Sequence, residues 1–128
     1  MAAERSVNIL VVDDYGSMLR LLRNILRQLG FENVFEAADG IEALKILRTE
    51  NIGLVISDWY MEPMSGIEFL REVRADKSLK NIPFIMITAE RGSASVAAAH
   101  TAGVTNYIVK PFTTETLRSK VADVLGEI

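Results

Sequence analysis

Alternation is what most restricts the fold of this chain. Five short apolar runs, at residues 7–12, 33–37, 53–58, 83–88 and 104–109, are separated by stretches whose apolar residues recur at helical spacing. Short runs bounded by polar residues read as strands, and the longer periodic stretches read as helices. Met18, Leu21, Leu22, Ile25 and Leu29 mark the first helix, and Gly30 stands where a left-handed residue ends one. Asp39-Gly40-Ile41-Glu42 and Ser65-Gly66-Ile67-Glu68 both carry the cap-x-x-Glu spacing of a helix start. Ile41, Leu44 and Leu47 are expected to form the apolar stripe of the second helix, and Ile67, Leu70 and Val73 that of the third. Residues 92–101, rich in Ala and Ser, give a weakly amphipathic fourth helix. Thr113 caps a fifth, with Leu117, Val121, Val124 and Ile128 on one face, expected to reach the last residue and leave no second domain.

Strand and helix in strict alternation predict an α/β, doubly wound parallel sheet with helices on both faces and right-handed crossovers. The 128 residues suit one domain, and a hydrophobic content of 49% is enough for a packed core. A net charge of −3 argues against a protein held mainly by nucleic-acid phosphates. The absence of Cys excludes disulfides and thiolate zinc sites. No apolar run approaches the ~18 residues of a membrane span, so a cytoplasmic protein is expected.

Open parallel sheets bind their ligands beyond the carboxyl ends of the strands. Here the first run ends in Asp13 and Asp14, the third in Asp58, the fourth in Thr88 and the fifth in Lys110. A parallel sheet brings all of these to one edge. Three carboxylates and one ammonium sum to about −2, which is unfavourable without compensation. A hard divalent cation such as Mg²⁺ relieves it, because it takes a few carboxylate oxygens and leaves room for a phosphate oxygen. Asp58 can then receive a phosphoryl group as an acyl phosphate. The Thr88 hydroxyl can donate to one phosphoryl oxygen, and Lys110 can pair with another.

The segments Val11-Val12-Asp13-Asp14, Ser57-Asp58-Trp59, Thr88-Ala89-Glu90 and Tyr107-Ile108-Val109-Lys110-Pro111-Phe112-Thr113 resemble the receiver domain of bacterial two-component response regulators. The similarity spans nearly the whole chain and is greatest to stand-alone chemotaxis regulators. The resemblance implies a flavodoxin-like (βα)₅ fold with strand order 2-1-3-4-5, and a single receiver domain over residues 1–128. It makes Asp58 the phosphoacceptor of a histidine kinase. It makes Asp13, Asp14, Asp58 and the backbone carbonyl of Tyr60 the Mg²⁺ ligands, with Asp13 acting partly through water. Thr88 and Tyr107 become the switch, altering the surface of the fourth helix, fifth strand and fifth helix. The implied partner is a flagellar motor switch protein, and a monomer that catalyses only its own phosphorylation and dephosphorylation is expected. The Lys110–Pro111 bond is expected to be cis.

The chain departs from the family pattern at Tyr60, Glu62, Ser65 and Tyr15-Gly16. Gly16 should weaken the first helical turn. Tyr60 and Glu90 flank the presumed path of the water that removes the phosphoryl group, so a bulky Tyr60 is expected to prolong its lifetime. Other functions on the same fold remain open: a phosphate sink or relay intermediate without motor contact, or an aspartyl-phosphate-type phosphatase. Such phosphatases usually carry a second acid where Tyr60 stands. A nucleotide or flavin site lacks its glycine motif after the first strand. His100, the only histidine, reads as a surface helix residue, Trp59 as a loop residue, and Arg20, Arg23 and Arg27 as a solvated helix face.

Overall fold

A computed structural model describes residues 5–126. Strands and helices alternate as β1 (Asn8–Val12), α1 (Gly16–Gln28), β2 (Val34–Ala37), α2 (Gly40–Thr49), β3 (Ile52–Asp58), α3 (Gly66–Ala75), β4 (Phe84–Thr88), α4 (Ser93–Ala102), β5 (Asn106–Val109) and α5 (Thr114–Leu125). The five strands form one parallel sheet in the order β2-β1-β3-β4-β5, with β3 central and β2 and β5 at the edges. The doubly wound architecture and strand order are as expected.

Side chains alternate across the sheet and divide the core in two. Leu10, Val12, Val55, Phe84 and Met86 face α2, α3 and α4, meeting Leu44, Leu47, Leu70, Val73 and Ala99. Ile9, Val11, Leu54, Ile56, Ile85 and Ile87 face α1 and α5, meeting Leu22, Ile25, Leu26, Leu117 and Val121. Strands buried on both faces explain why they read as continuous apolar runs rather than alternating ones.

The helix starts differ in how they are held. Ser65 makes a full capping box: its Oγ accepts from Glu68 N–H, and Glu68 accepts from Ser65 N–H. Asp39 caps α2 through Glu42 N–H, but Glu42 reaches back one residue further, to Ala38 N–H. Thr113 caps α5 through Thr116 N–H. Among the described residues, no side chain caps α1 or α4.

Several expectations need correction. Ile41 is 44% exposed, and Ala43 takes its place beside Leu44 and Leu47. Helix α5 ends at Leu125, with Gly126 as its cap, and Ile128 lies outside the described residues. Gly53 lies inside β3 instead of opening it, and β5 begins at Asn106, two residues later than expected. Arg23 is not simply solvated, since it bonds Glu36 and the Val34 carbonyl. The Lys110–Pro111 bond is cis as expected, and Glu62–Pro63 is cis as well, which no expectation covers. Gly30 does have a positive φ, of 99°.

Candidate functional site

Register builds the site. Val12 pairs with Ser57, so Asp13, the residue that follows β1, stands level with Asp58. Asp58 pairs with Ile87, and Thr88 follows one step further along. Thr88 pairs with Val109, and Lys110 is the next residue. Four strands thus deliver their polar ends to one edge, with Asp13 and Asp58 level and Thr88 and then Lys110 each one residue further along.

Side-chain geometry completes the cluster. Asp13, Asp14 and Asp58 each offer a carboxylate oxygen, all within 4.8 Å of one another. Lys110 Nζ lies 3.4 Å from Asp58 Oδ1 and 3.6 Å from Asp13 Oδ2. Asp58 Oδ1 also accepts from Trp59 N–H at 2.9 Å, so the hydrogen bond and the ion pair both fall on one oxygen, and among the described residues Oδ2 carries neither. Asp13 Oδ1 accepts from Tyr15 N–H at 2.9 Å. Asp13 and Asp58 are 1% and 6% exposed, whereas Asp14 is open to solvent.

Burial pushes the Asp58 carboxyl above its usual range, and Lys110 and the Trp59 N–H pull it partly back. Burial also raises Asp13, against the Tyr15 N–H, with the Asp58 charge adding to the rise. Two buried acids beside a third, sharing one lysine, form a site short of positive charge. The donor set is hard oxygen, anionic and open on one side, and so it fits a small divalent cation such as Mg²⁺.

A cleft of about 430 Å³ opens over the cluster, lined by Asp14, Tyr15, Asp58, Tyr60, Met61, Glu62, Ser65, Ala89 and Lys110. Asp13 and Thr88 are buried and stand outside that lining. Thr88 Oγ1 accepts from Glu90 N–H at 3.2 Å. The Glu90 carbonyl accepts from the Tyr107 hydroxyl at 2.9 Å, and its carboxylate accepts from the Tyr60 hydroxyl at 2.5 Å. This bond to an anion raises the Tyr60 phenol above its usual range. The Trp59 ring stands edge-on to Tyr107 at 6.5 Å and lies against Tyr60 at 6.3 Å.

Asp13, Asp14, Asp58 and Lys110 therefore lie in the acid cluster, and Thr88, Tyr60 and Tyr107 in the network around Glu90. What sequence reasoning missed is the wall. Tyr15, Met61, Glu62, Ser65 and Ala89 line the cleft; in the sequence Tyr15, Glu62 and Ser65 stand out only as departures from the family pattern, and Met61 and Ala89 only as neighbours of motif residues. In the sequence Gly66 marks no more than a helix start. A Cβ there would fall 2.0 Å from the Asp58 carbonyl oxygen, while Gly66 N–H bonds the Trp59 carbonyl at 2.7 Å. The first turn of α3 is seated directly on the backbone of Asp58 and Trp59.

Comparison with known proteins agrees with this geometry. The response regulator receiver domain family matches residues 9–122. Chemotaxis protein CheY-3 of Vibrio cholerae is 46% identical over 117 residues, covering 91% of this chain and 90% of that protein. A chemotaxis protein CheY homolog of Campylobacter jejuni is 46% identical over 121 residues, covering 94% and 93%. The solved structure of chemotaxis protein CheY4 of Vibrio cholerae superposes with a TM-score of 0.88 at 34% identity, covering 94% of this chain and 99% of that one. The chain belongs to the response regulator receiver domain family and is of the CheY type, a signalling protein of two-component systems.

Proposed function

We propose that this chain is a phosphorylation-switched receiver in which Asp58 takes a phosphoryl group from a phosphohistidine of a histidine kinase. The observation that carries this reading is the set of three acids and one lysine around a single cleft, with Lys110 3.4 Å from Asp58. In the transfer, the imidazole N–P bond breaks and an O–P bond forms to Asp58. The leaving nitrogen keeps the electron pair. Asp58 Oδ2 suits the role of nucleophile, because Oδ1 is already engaged. Asp13, Asp14, Asp58 and the Tyr60 carbonyl would hold Mg²⁺, which supplies neutralisation of the phosphoryl oxygens. Lys110 bridges Asp58 and the phosphoryl group. Thr88 turns its hydroxyl proton to a phosphoryl oxygen, and its link to Glu90 carries that movement to Tyr107.

The reading extends to output. Residues 1–128 act as one receiver unit, as a cytoplasmic monomer, and the surface of α4, β5 and α5 binds a flagellar motor switch protein differently after phosphorylation. The chain acts on no separate substrate and catalyses only its own phosphorylation and dephosphorylation. Tyr60 and Glu90 set the phosphoryl lifetime by crowding the approach of water. The chemotaxis relatives support this output.

The test uses Trp59, which adjoins Asp58. Its fluorescence is followed as Mg²⁺ and then beryllofluoride are added, in the parent and in Asp58→Asn. The expected result is a change with each addition in the parent and no beryllofluoride response in the variant; a parent that answers neither addition rejects the reading. Binding of a motor switch protein is then compared with and without beryllofluoride. Equal binding would leave a phosphate sink in place of motor control.

A further inference from the structure

Glu90 is bonded three times, through three different groups. Its N–H reaches Thr88 Oγ1, its carbonyl takes the Tyr107 hydroxyl, and its carboxylate takes the Tyr60 hydroxyl. The first two bonds join the phosphoryl sensor to the switch ring. The third comes from the opposite side of the cleft, from the loop that follows the acceptor strand.

Resting on the receiver reading above, we propose that the Tyr60 hydroxyl is a latch on the switch. It pins the turn between β4 and α4, and so sets how readily Thr88 and Tyr107 change position. Thr88 cannot approach Asp58 without lengthening its bond to Glu90 N–H, and Glu90 cannot follow freely while Tyr60 holds its carboxylate. A long bond of 3.4 Å from the Arg91 guanidinium to the Lys110 carbonyl also holds this turn, and the helix that follows adds little. Gly92 begins α4 without a side-chain cap, and of the residues of α4 only Ala99 is buried. The crowding role given to Tyr60 depends on ring size, whereas the latch depends on the hydroxyl, so the two separate in Tyr60→Phe.

The three tyrosines make the test direct. Incorporating 3-fluorotyrosine gives one ¹⁹F resonance each for Tyr15, Tyr60 and Tyr107, assigned by single Phe replacements. In Tyr60→Phe and in Glu90→Gln the Tyr107 resonance is expected to shift or broaden, and in Tyr15→Phe to stay in place. Half-conversion by beryllofluoride with Mg²⁺ is expected at about fivefold lower concentration in Tyr60→Phe than in the parent, the population shift set by losing one exposed charge-assisted hydrogen bond. The double variant Tyr60→Phe/Glu90→Gln should match the single variants, because a bond can be removed only once. A Tyr107 resonance unmoved in Tyr60→Phe, or single effects that add in the double variant, overturns the latch. The resonance arm requires no phosphoryl chemistry. A protein blind to beryllofluoride whose Tyr107 line still moves in Tyr60→Phe overturns the receiver reading and supports the latch.

Discussion

Asp13 and Asp58 are carboxylates placed where a carboxylate is uncomfortable. Burial raises both, so the folded chain binds their protons more tightly than the unfolded chain does. The stability linked to these protons is full at low pH, below the unfolded value, and is lost as pH rises through the folded pKa values. At pH 7 without metal, the charged cluster works against the fold. Asp13→Asn is therefore expected to raise the melting temperature of the metal-free protein at pH 7. A gain of about 1 kcal/mol corresponds to roughly 3–6 °C for a domain of this size, and it should shrink toward pH 4. Added Mg²⁺ should stabilise the parent more than the variant; calorimetry across pH, with and without the ion, checks both. Tyr60→Asn tests the crowding role: its phosphoryl group should be lost several-fold faster than the parent's, followed by the decay of labelled Asp58, and an equal rate removes that role. The acids, Thr88 and Lys110 were legible from sequence because each ends an apolar run. The bond between Tyr60 and Glu90 was not, because the two residues lie on separate loops and only the fold sets the reach of their side chains.

Among the elements, α3 and α4 are opposites. Helix α3 has a complete capping box and buries Ile67, Phe69, Leu70 and Val73. Helix α4 has an uncapped start and a single buried residue. Ser65→Ala should destabilise the protein by about 1 kcal/mol in urea unfolding. Gly66→Ala should do something different, because its methyl group would meet the Asp58 carbonyl rather than the interior of a helix. Its acyl phosphate yield should fall by more than any loss of folded protein explains, measured by intact mass after exposure to phosphoramidate. Amide exchange should be faster in the first turn of α4 than in that of α3. Helices with a cap signal were readable at their starts. The end of α5 was not, since the apolar spacing of Leu117, Val121 and Val124 runs on to Ile128, past the point where Gly126 stops the helix. In α2 the spacing itself misled: Ile41 fits the stripe, but at the first turn of the helix it lies clear of the sheet.

At the scale of the molecule, one guanidinium joins three segments. Arg74, near the end of α3, donates to the carbonyls of Lys80, Ile82 and Gly103, and so ties the approach to β4 to the end of α4. Burial lowers its pKa without neutralising it. Arg74→Met should cost about 2–3 kcal/mol, because it leaves several carbonyls without a donor, and chemical denaturation should show the loss. From sequence Arg74 is an ordinary cation in a last helical turn, and nothing local marks its distant partners. The alternation of elements announced a parallel sheet, but the strand order rested on family resemblance, since alternation alone allows other windings. That order has a mechanical outcome. Tyr107 rides on β5, which is laddered on one flank only, to β4. An outer rung can yield while the interior strands keep all their neighbours, so the ring proposed to move is fastened along the fewest seams.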